Sequence, residues 1–195
     1  MILPIVAYGH PILRKKAHDI DAHYPDLSKL LEDMWETMYA SNGVGLAAPQ
    51  INKSIRVFVM DSAQIFNNMN EKDREEETYL DEPGIKQTFI NASIVEEQGD
   101  DWPYNEGCLS IPKIREDIKR AEEVTIEFRD EDFKKFRRTY NGITARIILH
   151  EYDHIDGKLF IDHISLLKRK LLKRKLDDIS KGAIKVDYKM LFPKK

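Results

Sequence analysis

The stretch His150-Glu151-Tyr152-Asp153-His154 decides how this chain is interpreted. The pattern around it, from about 143 to 156, contains no proline and no internal glycine, and Gly157 stands where a helix C-cap is expected. In a helix, the two histidines lie one turn apart on the same face, so both can bind one metal ion. The glutamate beside the first histidine can act on water at that metal.

The same helix carries apolar residues almost all round its surface, which is typical of a buried helix. They are Ile143, Ile147, Ile148, Leu149 and Ile155. Burying ionisable side chains is costly unless they are paired or bind a metal. The apolar surroundings therefore favour a metal site over a chance match to a short pattern.

A metal site needs at least one more protein ligand. Zinc proteases with two histidines in this spacing place a third histidine where this chain has Phe160. Asp162 and His163 lie slightly further on and are alternative ligands, but Cys108, the only cysteine, is the better candidate. The remaining histidines are expected to be polar surface residues: His10, His18 and His23.

Length and composition predict a single domain over residues 1–195. The net charge of −3 is nearly balanced, so the chain as a whole gives no reason to expect nucleic acid. No run of eighteen apolar residues is present, which predicts no membrane span, and the first residues lack the features of a secretory signal. A single cysteine excludes an internal disulfide and fits a reducing, cytoplasmic setting.

Apolar periodicity and turn residues predict the other elements. An irregular arm is predicted over 1–23, and helices are predicted over 25–40 and 164–181. Strands are predicted over 55–60 and 88–97. A β-hairpin is predicted to pair 124–128 with 135–140, and a short strand-like piece follows at 158–161. The polar stretch 66–86 reads as an acidic surface insertion.

The C-terminal helix and tail, 164–195, are strongly basic. Six bases fall within eight residues: Lys168, Arg169, Lys170, Lys173, Arg174 and Lys175. Such a run is usually a solvated face, but it also fits a contact with RNA or a ribosome.

Two further segments have unusual composition. Gly-Val-Gly-Leu-Ala-Ala-Pro-Gln at 43–50 is alone interpreted as a tight connection between a helix and a strand, and Glu-Gly-Cys-Leu-Ser at 106–110 contains the lone cysteine. Together with 150–154, they resemble in content, order and spacing the three signature motifs of the peptide deformylases. The resemblance implies an α+β fold, in which antiparallel strands wrap a central metal-binding helix and further helices lie outside.

The resemblance implies a site with one divalent metal, bound by Cys108, His150 and His154. In this family the metal is usually ferrous iron, with zinc, nickel or cobalt also accepted, whereas ligand type alone favours zinc. Glu151 would be the general base. The substrate implied by the resemblance carries a formyl group. Negative charge that develops on the formyl oxygen during hydrolysis would be stabilised by the metal, the Gln50 side chain and the Leu109 backbone N–H.

The implied substrate is the N-formylmethionine at the start of a nascent protein, hydrolysed to release formate. Val44, Gly45 and Leu109 would line the methionine pocket, and Arg115 would lie near the following residues of the peptide. Leu149 departs from the family pattern, because many members carry glutamine there. This departure puts a supporting hydrogen bond around the site in doubt rather than the ligands.

Two rival functions use the same residues. A metallopeptidase would take its third ligand from Asp162 or His163 instead of Cys108. A ribosome- or RNA-binding protein with a structural metal would need four protein ligands and no open position.

Overall fold

The computed structural model describes residues 1–68 and 84–193. The predicted acidic insertion therefore lies largely outside the described residues, and its surface position stays a prediction. Within the described ranges, none of the helices combines the length and apolar character needed to cross a membrane.

The helices are α1 (Leu27–Ala40), α2 (Ala63–Asn68), α3 (Gly142–Ile155) and α4 (Leu166–Ser180). The strands are β1 (Ile5–Val6), β2 (Gly45–Ala47), β3 (Val57–Asp61), β4 (Lys86–Gln98), β5 (Trp102–Cys108), β6 (Ile111–Arg120), β7 (Glu123–Arg129), β8 (Lys135–Asn141) and β9 (Met190–Leu191). The α+β prediction is confirmed, with mixed helices and mainly antiparallel strands.

The predicted buried helix is α3, whose apolar side chains are almost completely enclosed. It ends in a Schellman motif: the Gly157 N–H donates to the His154 carbonyl, and the Lys158 N–H donates to the Asp153 carbonyl. Gly157 has φ +75°, and a side chain there would also collide with the backbone of Arg14. Glycine at this position therefore stops α3 directly after its second histidine and lets the chain turn away.

The central sheet has the strand order β2-β3-β4-β7-β8, and all its neighbours are antiparallel. Alternation along β3 separates two cores. Phe58 and Met60 pack with α3, whereas Val57 and Val59 pack with α1 on the other face. The sheet thus lies between α3 and α1.

Two smaller pairs of strands complete the fold. β5 and β6 form an antiparallel hairpin, in which Cys108 is opposite Ile111. β1 and β9 pair in parallel, so the two ends of the chain lie side by side. α4 covers the hairpin on the outside by packing Leu176 and Ile179 into a core that also contains Ile114 and Ile118.

Several local predictions need correction. The piece at 158–161 is not a strand but leads into a 3-10 helix, Phe160–Asp162. The segment 43–50 is more than a connection, because it forms β2 and the start of the 3-10 helix Ala48–Ile51. The N-terminal arm contains β1 and a 3-10 turn, and β5, β6 and α2 were not predicted.

Candidate metal centre and active-site cleft

The structure brings Cys108, His150 and His154 together at the meeting point of α3 and the β5–β6 hairpin. One ligand atom from each residue lies within 4.8 Å of the others, and Cys108 Sγ is 3.2 Å from His154 Nε2. This is a spacing that a single ion at ordinary metal–sulfur and metal–nitrogen distances can bridge. Over residues 1–68 and 84–193, no other group of His, Cys, Asp and Glu side chains is arranged to hold a metal.

The charges of these residues fit a cation. Burial alone would raise the pKa of the Cys108 thiol, but the adjacent His154 and His150 outweigh it and lower that pKa to about 5. Burial would lower the pKa of His150, but Cys108 and Glu106 raise it well above its ordinary value. The buried Cys108 thiolate and Glu106 carboxylate are therefore stable only with positive charge beside them. A divalent ion meets the same demand as imidazole protons and would displace them on binding.

Glu106 orients the first histidine. Its Oε2 lies 2.9 Å from His150 Nδ1, which leaves Nε2 of that ring as the atom free to bind a metal. Arg120 holds the same carboxylate with two hydrogen bonds, and Arg146 adds a third. Burial would raise the pKa of Glu106, but His150 and Arg120 lower it well below its usual range. The carboxylate thus stays ionised and keeps the imidazole in one orientation.

Asp153 extends this network behind the site. Its Oδ2 accepts a hydrogen bond from Arg120 at 2.7 Å and lies 2.7 Å from His163 Nε2. Asp162 is engaged elsewhere, with Arg14 and the Leu159 N–H. Neither alternative third ligand, Asp162 or His163, therefore belongs to the metal cluster.

Glu151 lies beside the cluster with only 4% of its surface exposed. Its Oε2 atom is buried and has no hydrogen-bond partner within the described ranges. Burial raises the pKa of this carboxyl to about 7, because desolvation outweighs the attraction of His150 and His154. A carboxylate with a free oxygen and such a pKa can both accept and return a proton near neutral pH.

Gly45 makes room for that carboxylate. A Cβ atom on Gly45 would lie 2.4 Å from Glu151 Oε1 and 2.7 Å from Cδ, far inside van der Waals contact. The position is fixed by the pairing of Gly45 with Met60 in the sheet, so the strand cannot retreat. Glycine is therefore required here by the glutamate and not by backbone torsion.

Gln50 and the turn after Cys108 form the other side of the cluster. Gln50 is buried, its Oε1 accepts from the Ala47 N–H at 2.8 Å, and its Nε2 lies 3.6 Å from Cys108 Sγ and 3.3 Å from Ser110 Oγ. Its amide N–H groups are thus directed to the metal cluster. Leu109 follows the ligand cysteine in the two-residue turn between β5 and β6.

A cleft of about 790 Å³ opens onto the cluster. Its walls include all four residues predicted to bind substrate: Val44, Gly45, Leu109 and Arg115. The Arg115 guanidinium is held by Asn105 through the side-chain oxygen at 2.8 Å and through the backbone carbonyl. Ile143 and Ile147 of α3 add apolar surface beside the ligands, which suits an apolar side chain of a bound molecule.

Leu149 lies away from the site. It is buried in the apolar core between α3 and the sheet. Glu106 Oε2, and not a residue at position 149, is the partner of His150 Nδ1.

The sequence interpretation missed the roles of Glu106, Arg120 and Arg146. Arg146 offered a signal, because it interrupts the apolar run of α3 and a buried arginine requires an anionic partner. Glu106 stands two residues before the ligand cysteine, but nothing local shows that it reaches α3.

Comparisons with known proteins point to one family. A family model described as polypeptide deformylase matches residues 2–170. Peptide deformylase from Christiangramia forsetii is 51% identical over 99% of this chain and 97% of its own length, and that from Flavobacterium psychrophilum is 48% identical over the full length of both. The crystal structure of a peptide deformylase from Legionella pneumophila superposes with a TM-score of 0.77 at 36% identity, covering 95% of this chain and 99% of the other. The chain belongs to the polypeptide deformylase family.

Proposed function

We propose that Cys108, His150 and His154 hold the metal of a deformylase and that Glu151 is its general base. As a member of this family, the chain removes the N-formyl group from nascent peptides. The observation that carries the assignment of roles is the unpartnered, buried Oε2 of Glu151 beside three converging metal ligands. With three protein ligands, one coordination position stays open, which is the catalytic arrangement and not the structural one.

A divalent metal bound there supplies Lewis-acid chemistry, by making a water acidic and by polarising the formyl oxygen. The oxygen of a water molecule attacks the formyl carbon, and Glu151 takes a proton from that water as the new carbon–oxygen bond forms. The carbon–nitrogen bond then breaks, and Glu151 delivers the proton to the leaving nitrogen. The products are formate and a peptide with a free amino terminus.

Gln50 and Leu109 stabilise the charge that develops on the formyl oxygen. The Gln50 amide is oriented by its hydrogen bond from the Ala47 N–H, so its own N–H groups need no rearrangement during the reaction. The Leu109 backbone N–H follows the ligand cysteine and approaches from the hairpin side. A donor of this kind contributes on the order of 3 kcal/mol to transition-state stabilisation.

The substrate lies along the cleft. Gly45 belongs to β2, at the edge of the central sheet, and can pair with an extended peptide backbone. Val44, Leu109 and the apolar surface of α3 enclose the methionine side chain. Arg115, fixed by Asn105, meets the residues that follow methionine.

Ferrous iron is the metal that we assign, on the strength of the family resemblance. A thiolate with two imidazoles also accepts zinc, nickel and cobalt. We also propose that residues 1–195 form a single domain. The cytoplasmic setting belongs to the same proposal, because nascent chains carry the formyl group where they are synthesised.

Formate release from formyl-Met-Ala-Ser tests the proposal. Protein purified without oxygen and loaded with iron or nickel is expected to turn over the formylated peptide and to leave acetyl-Met-Ala-Ser intact. A folded, metal-loaded sample that releases no formate contradicts the proposal, and casein cleavage would then test the peptidase alternative.

We further propose that α4 contacts the ribosome. Lys170, Lys173, Arg174 and Lys175 have no ion pair with any residue in the described ranges, whereas Lys168 and Arg169 are paired with Glu116 and Asp162. Leu167 and Leu171 lie on the same helix and are 69% and 75% exposed. Unpaired bases beside exposed apolar side chains fit a surface of RNA and protein.

Charge reversal tests this contact. Lys170→Glu with Arg174→Glu is expected to weaken co-sedimentation with bacterial ribosomes at least about tenfold and to lower its salt dependence, because phosphate contacts are lost. Lys15→Glu with Lys16→Glu makes the same change of charge at another exposed segment and serves as the control. Equal sedimentation of both double variants and the wild type would contradict the proposal.

A further inference from the structure

The C-terminal segment forms one wall of the active-site cleft. We call residues 185–188 the C-terminal wall, because all four of them line the cleft: Lys185, Val186, Asp187 and Tyr188. The wall is anchored directly after its last residue. The Ile5 N–H donates to the Lys189 carbonyl at 2.8 Å, and the Ala7 N–H donates to the Leu191 carbonyl at 2.8 Å. This pairing of β1 with β9 holds the wall in place beside the metal cluster.

Tyr188 reaches from this wall to the turn that carries Leu109. Its hydroxyl donates a hydrogen bond to the Leu109 carbonyl at 2.8 Å. Its ring packs against the apolar cluster that also contacts Leu109. Burial raises the pKa of Tyr188, and the nearby Cys108 acts in the same direction, so the phenol stays protonated as a donor at neutral pH.

The turn is held from outside at both of its residues. Tyr188 binds the carbonyl of Leu109, and the Tyr8 N–H donates to the carbonyl of Ser110 at 2.9 Å. A two-residue turn has little freedom once its carbonyls are fixed, because its ends are already set by the strand ladder. The Leu109 carbonyl shares its peptide plane with the Ser110 N–H, whereas the Leu109 N–H lies in the preceding peptide plane. The two planes are joined only through the φ and ψ torsions of Leu109. A hydrogen bond that fixes the carbonyl therefore acts on the direction of the Leu109 N–H by restricting these two torsions.

We propose that Tyr188 is a positioning residue, whose hydrogen bond to the Leu109 carbonyl keeps the Leu109 N–H directed at the formyl oxygen. This rests on the role proposed above for Leu109. Tyr188 itself touches neither the reacting atoms nor the metal ligands through its hydroxyl. It acts by keeping a donor preorganised, so its effect belongs to the transition state and not to substrate binding.

Tyr188→Phe removes the hydroxyl alone, and Tyr24→Phe is its matched control. Tyr24 is also half-buried against the same apolar cluster, and its hydroxyl has no hydrogen-bond partner in the ranges that the structure describes. With nickel-loaded protein and formyl-Met-Ala-Ser, Tyr188→Phe is expected to lower kcat about tenfold while KM stays within about twofold, because a displaced donor loses its transition-state contact. Tyr24→Phe is expected to keep both values.

The carbonyl carbon resonance of Leu109, measured in zinc-loaded protein, reports the hydrogen bond without any turnover. It is expected to shift in Tyr188→Phe and not in Tyr24→Phe. An unshifted resonance, an unchanged kcat, or a rise in KM alone would overturn the positioning role. If the wild type itself releases no formate but the resonance shifts, the contact is supported while the deformylase mechanism is refuted.

Discussion

Replacing Glu151 with glutamine is expected to lower kcat for formate release on the order of 1000-fold, the usual contribution of a general acid–base group. Glutamine has nearly the same shape and fits the space that Gly45 leaves, but it cannot take the proton from water. Metal content and Tm are expected to stay close to those of the wild type, since Glu151 is not among the three clustered ligands. Kinetics on metal-loaded protein and elemental analysis measure both.

Glu96→Gln is the control for this variant, because Glu96 is an exposed residue of β4. It makes the same chemical change away from the cleft and should leave kcat unaltered. A Glu151→Gln protein that retains full metal and more than about a tenth of wild-type kcat would remove Glu151 from the role of general base.

Replacing Cys108 with serine is expected to weaken metal binding more than about 100-fold, beyond the loss typical of residues that only support a ligand. The alcohol does not ionise near neutral pH, whereas His154 and His150 lower the pKa of the Cys108 thiol to about 5. Elemental analysis after dialysis against a chelator is the measurement. Turnover should disappear along with the metal.

His163→Gln separates this interpretation from the peptidase alternative. His163 contacts Asp153 and lies outside the clustered ligands, so the variant should retain its metal. Loss of metal from His163→Gln together with full retention in Cys108→Ser would show that the third ligand comes from the downstream segment.

Helix α3 was predictable because it depends on local spacing. Two histidines one turn apart and a glycine at the C-cap position are visible in the sequence, and the predicted helix over 143–156 agrees with Gly142–Ile155. The third ligand was weaker in local terms, since a lone cysteine is usually a small buried residue. The occurrence of all three motifs in one chain made Cys108 the better candidate. In the structure its Sγ lies 3.2 Å from His154 Nε2.

The β5–β6 hairpin was not predictable in the same way. Ile111, Ile114 and Ile118 recur at intervals of three and four, which is a helical spacing, and yet all three lie on a strand. Lys113, with φ +62°, interrupts the regular alternation of the strand. The Tyr188 contact and the Glu106 network join residues far apart in sequence, so no local pattern reports them.

The position of the three ligands also bears on the stability of the folded protein. Cys108 belongs to the hairpin, whereas His154 lies 46 residues later in the central helix, so an ion held by both ties two separate parts of the chain together. Such a tie is lost in the unfolded chain. By mass action, each tenfold rise of free metal above its dissociation constant then adds about 1.4 kcal/mol to the free energy of unfolding. The folded fraction of the protein is thereby linked to metal supply, and metal removal is expected to lower its stability as well as its activity.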